Sequence, residues 1–322
     1  MRLAVRARSN GTADPAVTAQ GTFVLTFDFE DWHQLVHRRL GRSDWRNGSA
    51  GFGQHVSKAL DLLDELGVSA TFFVAGVAAE RHPRALEEVA ARGHELACHG
   101  YEHRRAFQQG PEEFRNDVVR CMDVVERLCG VTPIGYRAPW FSITRDSLWA
   151  HDILRELGFQ YDSSLYDSPF VPRRIRPIPT NPFRIGGGGA GEGLWEFPIA
   201  VWRRGRTALP LGGGAYWRAL PSVALWHGLE SVARRSTFPV LYFHTYECAT
   251  EPLLVVLPAQ ASPRERIRET SRRLYKNARR DLIAVRIREA AARFRFVTFR
   301  DILNDGRDDV DATLLREARP SV

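Results

Sequence analysis

A short apolar and β-branched run at residues 22–27, TFVLTF, stops in a burst of acids: Asp28, Glu30 and Asp31. The same event recurs down the chain. A run at residues 69–74 is followed by one at 95–97 that leads into HGYEH. Residues 134–136 lead into RAPWFSIT, residues 159–162 end at Asp162, and residues 240–243 end at His244. Continuous apolar runs of this length suit strands buried on both faces. Between them, the stretches near 54–66, 83–93, 111–128, 146–157 and 221–234 read as helices, several closed by a glycine (Gly67, Gly93, Gly130, Gly158). Strand–loop–helix units in this order predict an α/β fold, with a parallel sheet flanked by helices. A length of 322 residues suits one or two domains, or a single decorated α/β barrel.

Hydrophobic residues at 44% and charged residues at 26% exclude collagen-like, disordered and membrane-embedded chains. The net charge is +7, and it is almost entirely arginine, because lysine occurs only at Lys58 and Lys276. A solvated surface is the plain reading and a basic face for an acidic polymer the next. No recognisable module accompanies the charge, so no nucleic acid partner is expected. The four cysteines lack C-x-x-C spacing and read as reduced thiols rather than a disulfide framework or a structural zinc site.

Residues 1–20 read as a disordered lead-in without the apolar core of a secretory signal, so the expected location is cytoplasmic. Residues 167–193, rich in proline and glycine, read as an insertion. The Arg-rich stretch 264–293 should be largely helical, residues 294–298 form a last strand, and 304–322 are a polar tail. The main unit is thus residues 21–303, with a C-terminal extension over 250–303.

In a parallel α/β sheet, sites form at the carboxyl ends of strands, where these polar residues fall. His99 and His103 lie four apart, a spacing that lets two imidazoles approach one ion. Glu30 or Asp31 could add the carboxylate of a facial triad. Three acids beside an apolar strand are costly to bury without a cation. Arg137 reads either as a structural ion pair or as the partner of a base carboxylate. His244 reads either as a core histidine or as a general acid. Trp32, Trp140, Tyr216 and Trp217 are either core packing or platforms for sugar rings.

LTFDFEDWHQ, ATFFVAG with ARGHELACHGYEH, GYRAPWFSIT and LYFHTYE, in that order, resemble motifs of the polysaccharide deacetylase superfamily (NodB homology, carbohydrate esterase family 4). GGGAYWR and FRFVTFRDIL extend the likeness to the subgroup found at bacterial exopolysaccharide and exosortase loci. The resemblance implies a distorted (β/α)7–8 barrel with the Pro/Gly-rich insertion and a C-terminal helical extension. It implies a divalent metal, zinc by expectation, and hydrolysis of acetamide groups on an N-acetylhexosamine-containing glycan or its lipid-linked precursor. A lipid-linked substrate would bring peripheral contact with the inner membrane. Asp28 matches the catalytic base, His99 and His103 the metal histidines, Arg137 the residue orienting the base, and His244 the general acid. Asp162 matches the aspartate that supports the general acid. The usual second aspartate is replaced by Phe29, so Glu30 or Asp31 must supply the remaining ligand. An O-deacetylase or small-amide hydrolase, and a catalytically silent glycan-binding factor, are the competing readings.

Overall fold

The computed structural model describes residues 21–304, apart from 169–170, 172–174, 176, 187–192, 206, 255–256 and 258–260. The expected lead-in, part of the insertion and the tail beyond 304 lie outside the described residues.

The strands are β1 (Thr22–Phe29), β2 (Thr71–Val74), β3 (Glu95–Cys98), β4 (Gly135–Tyr136), β5 (Tyr161–Asp162), β6 (Phe183–Ile185) and β7 (Leu194–Glu196). A separate antiparallel hairpin, β8 (Val201–Arg204) with β9 (Thr207–Pro210), precedes β10 (Val240–His244) and β11 (Arg295–Val297). The helices are α1 (Trp32–Arg39), α2 (Phe52–Leu66), α3 (Gly76–Arg81), α4 (Pro83–Ala91), α5 (Pro111–Cys129), α6 (Trp149–Glu156), α7 (Gly214–Ala219), α8 (Ser222–Ala233), α9 (Pro263–Asn277), α10 (Asp281–Ala291) and α11 (Phe299–Asn304).

The main sheet runs β10-β1-β2-β3-β4-β5-β7-β6, and only the β6–β7 pairing is antiparallel. β11 pairs with the start of β1, below β2. Just past β7, Ile199 makes a single parallel bridge to Val240 of β10. The sheet therefore curls into a distorted barrel whose ends meet through one bridge rather than a full ladder.

β1 shows why its residues point where they do. Successive side chains on a strand face opposite sides. Phe23, Leu25, Phe27 and Phe29 pack in the layer between sheet and helices. Val24 packs in the interior of the curl, with Phe73, Tyr161 and Phe299. Thr26 and Asp28 share Val24's parity, so the pleat itself turns Asp28 inward and Phe29 outward, against Phe52. Full burial of each such phenylalanine stabilises the fold by roughly 2–3 kcal/mol. Phe299 of α11 plugs the closed end of the curl against Tyr161 and Phe197.

The stretch 264–293 is largely helical, as two helices separated where Arg279 adopts φ 53°. Three of the four thiols are buried and all four are free.

Candidate active site

Asp28, at the end of β1, is 4% exposed and accepts a hydrogen bond from Arg137 Nη1 at 2.9 Å. Arg137 follows β4 and is fully buried. Its remaining donors go to Thr26 Oγ1 (2.9 Å), the Ser163 carbonyl (3.2 Å) and Ser163 Oγ (3.2 Å), and its guanidinium lies 3.9 Å over the Phe73 ring. A buried guanidinium with every edge engaged has one geometry to offer its carboxylate.

The HGYEH segment leaves β3 as a tight loop rather than a helical turn. Gly100 has φ 70°, and a side chain there would meet Asp117 Oδ2. Asp117 of α5 accepts the backbone N–H groups of Tyr101 (2.8 Å) and Glu102 (3.0 Å), which folds the loop back on itself. His103 is itself left-handed, φ 54°. The His99 Nδ1–H donates to the Arg137 carbonyl at 2.8 Å, so its Nε2 carries the free lone pair. His103 Nε2 lies 2.6 Å and His99 Nε2 3.8 Å from Glu30 Oε2. These three ligand atoms fall within 4.8 Å of one another. Two imidazoles and one carboxylate, all buried, make a donor set that fits a divalent transition ion.

Asp31 is not part of that group. It caps α1 by accepting the His33 N–H at 2.9 Å, accepts the Ser49 N–H at 2.5 Å, and lies 3.4 Å from His82 Nε2. Of the two candidate acids, Glu30 is the one beside the histidines, because the helix starting at Trp32 claims Asp31 for its N-terminus.

His244, at the end of β10, lies between two acids. Its Nε2 is 3.2 Å from Glu30 Oε1 and its Nδ1 is 3.0 Å from Glu247 Oε2. Burial alone would depress its pKa, but Glu30 and Glu247 reverse this and raise it to about 9. Burial pushes the Glu247 carboxyl up, yet the bond from His244 and its charge win and bring it to about 2. Burial likewise opposes ionisation of Glu30, and the charges of His103 and His244 hold it well below the carboxylate range. His99 goes the other way: burial dominates and lowers it to about 4, the neutral form a ligand needs. Glu247 was not singled out from the sequence, although it stands three residues beyond His244. Gly214 admits it: a side chain there would come within 2.7 Å of the Glu247 carboxylate.

Asp162 does not reach His244. It sits 3.3 Å from His151 Nε2 and accepts the Ser164 hydroxyl at 2.5 Å. Burial and the neighbouring Asp162 raise the Glu196 carboxyl well above its ordinary range. His151, Asp162 and Glu196 form a second buried group of possible donors, apart from the first. The acid hydrogen-bonded to the His244 ring is Glu247, not the expected Asp162.

The cluster opens into a cavity of about 440 Å³. Trp32, Trp140 and Tyr216 line it; Trp140 is half exposed and left-handed at φ 60°. Trp217 does not line it. It is fully buried against Phe243 and Trp226, and its indole N–H donates to the Leu211 carbonyl. On the short helix α7, Tyr216 faces the cavity while the adjacent residue faces the core.

Comparison with known proteins divides the chain in two. Residues 17–161 match the family model described as Polysaccharide deacetylase, and residues 163–304 match one described as Domain of unknown function (DUF3473). Peptidoglycan deacetylase-like protein FGM2 of Gibberella zeae is 32% identical over 131 residues, covering 40% of this chain and 38% of that protein. Peptidoglycan deacetylase of Helicobacter pylori is 26% identical over 121 residues, 38% of this chain and 40% of that protein. Peptidoglycan-N-acetylglucosamine deacetylase of Bacillus cereus is 34% identical over 98 residues, 30% of this chain and 36% of that protein. The matched segments thus span 40% or less of these relatives' own lengths. A solved structure from Mycobacterium smegmatis, assigned to the polysaccharide deacetylases, has the same fold: TM-score 0.59, 23% identity, covering 98% of this chain and 99% of that one. Puue allantoinase shares the fold too, with TM-score 0.58, 17% identity and coverage of 93% and 94%.

Proposed function

We propose that this chain, whose residues 17–161 match the polysaccharide deacetylase model, removes acetyl groups from N-acetylhexosamine units of a bacterial polysaccharide or its lipid-linked precursor. The observation that carries the proposal is the gathering of Asp28, Glu30, His99, His103 and His244 at one cavity.

Glu30, His99 and His103 would hold a divalent ion, zinc in this reading, which when bound polarises a carbonyl oxygen and lowers the pKa of water. Asp28 takes the proton from the attacking water, and Arg137 holds its carboxylate in one orientation. His244, its ring held by Glu247, delivers a proton to the amine nitrogen as the C–N bond breaks and acetate leaves. Trp32, Trp140 and Tyr216 offer faces and edges for sugar rings. Exopolysaccharide biosynthesis is the process this reading favours. Among the described residues no helix is long and apolar enough to cross a membrane, and a lipid-linked substrate would be met at the surface of the inner membrane.

Acetate release from N-acetylglucosamine oligosaccharides by zinc-loaded protein tests the proposal. A chelator should abolish it and zinc restore it, and Asp28→Asn should lose about 10³-fold or more in kcat. Acetate released only from O-acetylated sugars, or undiminished turnover by Asp28→Asn, contradicts it.

A further inference from the structure

One wall of the cavity comes from the last turn of α9, which presents Lys276. Its ammonium donates to Tyr246 Oη at 3.0 Å and lies 5.5 Å from the ring centres of both Trp32 and Tyr246. The nearest acids in the site, Glu30 and Glu247, are each turned to His244. Among the described residues, no carboxylate forms an ion pair with Lys276. Trp32 lines the same cavity, is 7% exposed, and its indole N–H has no hydrogen-bond partner among the described residues.

The position of Lys276 is built in. Arg39 of α1 forms an ion pair with Glu269, the buried residue of α9. At the other end of the helix, Arg218 Nη1 donates to the carbonyls of Tyr275 (2.9 Å), Lys276 (3.2 Å) and Ala278 (2.9 Å). The Nε of the same guanidinium is 3.6 Å from Glu247 Oε1, the acid that holds His244. Arg218 therefore fixes Lys276 relative to the reacting end of the cavity.

We propose that Lys276 and the Trp32 indole N–H form a subsite for an anionic group, a carboxylate or a phosphate, carried by the substrate beside the sugar that is deacetylated. The proposal rests on the reading of the site given above. A partly desolvated ammonium with one neutral hydrogen-bond partner retains donors that only an acceptor can satisfy. The Trp32 ring, centred 5.5 Å from the ammonium, carries a buried N–H that is likewise without a partner among the described residues. An anion bound there would gain a charge-assisted bond in a setting screened less than the surface. Burial lowers the lysine's pKa, only partly opposed by the charges of Glu247 and Glu30; a bound anion would add to that opposition.

Calorimetric binding to the zinc-loaded Asp28→Asn chain tests this without turnover. The probes are a neutral N-acetylglucosamine tetrasaccharide, a tetrasaccharide of alternating N-acetylglucosamine and glucuronate, and UDP-N-acetylglucosamine compared with free N-acetylglucosamine. At least one anionic probe should bind about tenfold more tightly than its neutral counterpart. Lys276→Met should bring that ratio close to one, Lys276→Arg should keep most of it, and Trp32→Phe should lower it less than Lys276→Met. Preference for the uronate tetrasaccharide identifies a carboxylate in the chain, and preference for the nucleotide sugar identifies a phosphate. Equal affinity for charged and neutral probes, or a preference that survives Lys276→Met, overturns the subsite. Acetate release by the chain retaining Asp28 is measured separately. Its absence with the preference intact would count against deacetylation and leave the subsite standing.

Discussion

Residues 21–161 bring Asp28, Glu30, His99 and His103 to the cavity, with the buried Arg137 behind Asp28, each at or just past the carboxyl end of a strand. Residues 163–304 bring His244 in the same way, at the end of β10, but they also bring Tyr216 on α7 and Lys276 on α9. In the reaction proposed above, the first half would supply the base and the donor set, and the second the acid and much of the wall. The difference separates what the reaction needs from what selects its substrate. Hydrolysing an acetamide demands the same few groups whatever sugar carries it, and in this proposal they sit at or just past strand ends. The wall that meets the rest of the glycan is built from helices pinned by side chains, such as the Arg218 fork.

β1 of the first half pairs with β10 on one edge and with β2 and β11 on the other, from which we expect the halves to fold as one unit. The largest effect that could break this picture is truncation. Residues 21–161 alone lose β10 and β11, and should show no cooperative thermal transition; a sharp melt would make the halves independent domains. A smaller effect probes the acid's support across the second half. Glu247→Gln should lower kcat on the order of 10²-fold while leaving bound metal unchanged, as read by steady-state kinetics and metal analysis. Loss of metal in that variant would assign Glu247 to the wrong group.

The smallest effect uses pH. His94, buried beside Phe72 in the first half, has its pKa pushed from 6.5 down to about 4 by burial. As pH falls through 6.5 the unfolded chain binds a proton that the folded chain refuses, so stability is intact above this window and drains away towards pH 4. His94→Gln should flatten that loss by up to roughly 3 kcal/mol in urea melts at pH 4.5, compared with pH 7.5. If the halves are one unit, probes in both should report the same midpoint.

Much of this was legible in the sequence because the hydrophobic pattern carries it. TFVLTF marks β1, and strand alternation explains why Asp28 turns inward and Phe29 does not. The choice between Glu30 and Asp31 was not legible, because both lie beyond the strand, where alternation no longer applies. The start of α1 decides it by recruiting Asp31 as a cap. Trp217 misled because an aromatic in a glycine-rich segment reads alike for a cavity and a core; only packing against Phe243 and Trp226 separates them. Asp162 stood at a strand end like the other site residues, yet its neighbours are His151 and Glu196. Lys276 left one faint trace, a lysine in a chain that otherwise uses arginine almost throughout. Its placement depends on the break before α10 and on Arg218, neither of which has a local signature.

The central claim is a division of labour: the first half holds the ion and the second half delivers the proton. Metal content per chain in His103→Ala and His244→Asn, measured beside kcat on the same samples, tests it most directly. The account predicts that His103→Ala falls well below one ion per chain, while His244→Asn keeps its metal and loses roughly 10²–10⁴-fold in kcat. Equal metal loss in both variants, or full metal in His103→Ala, would contradict it.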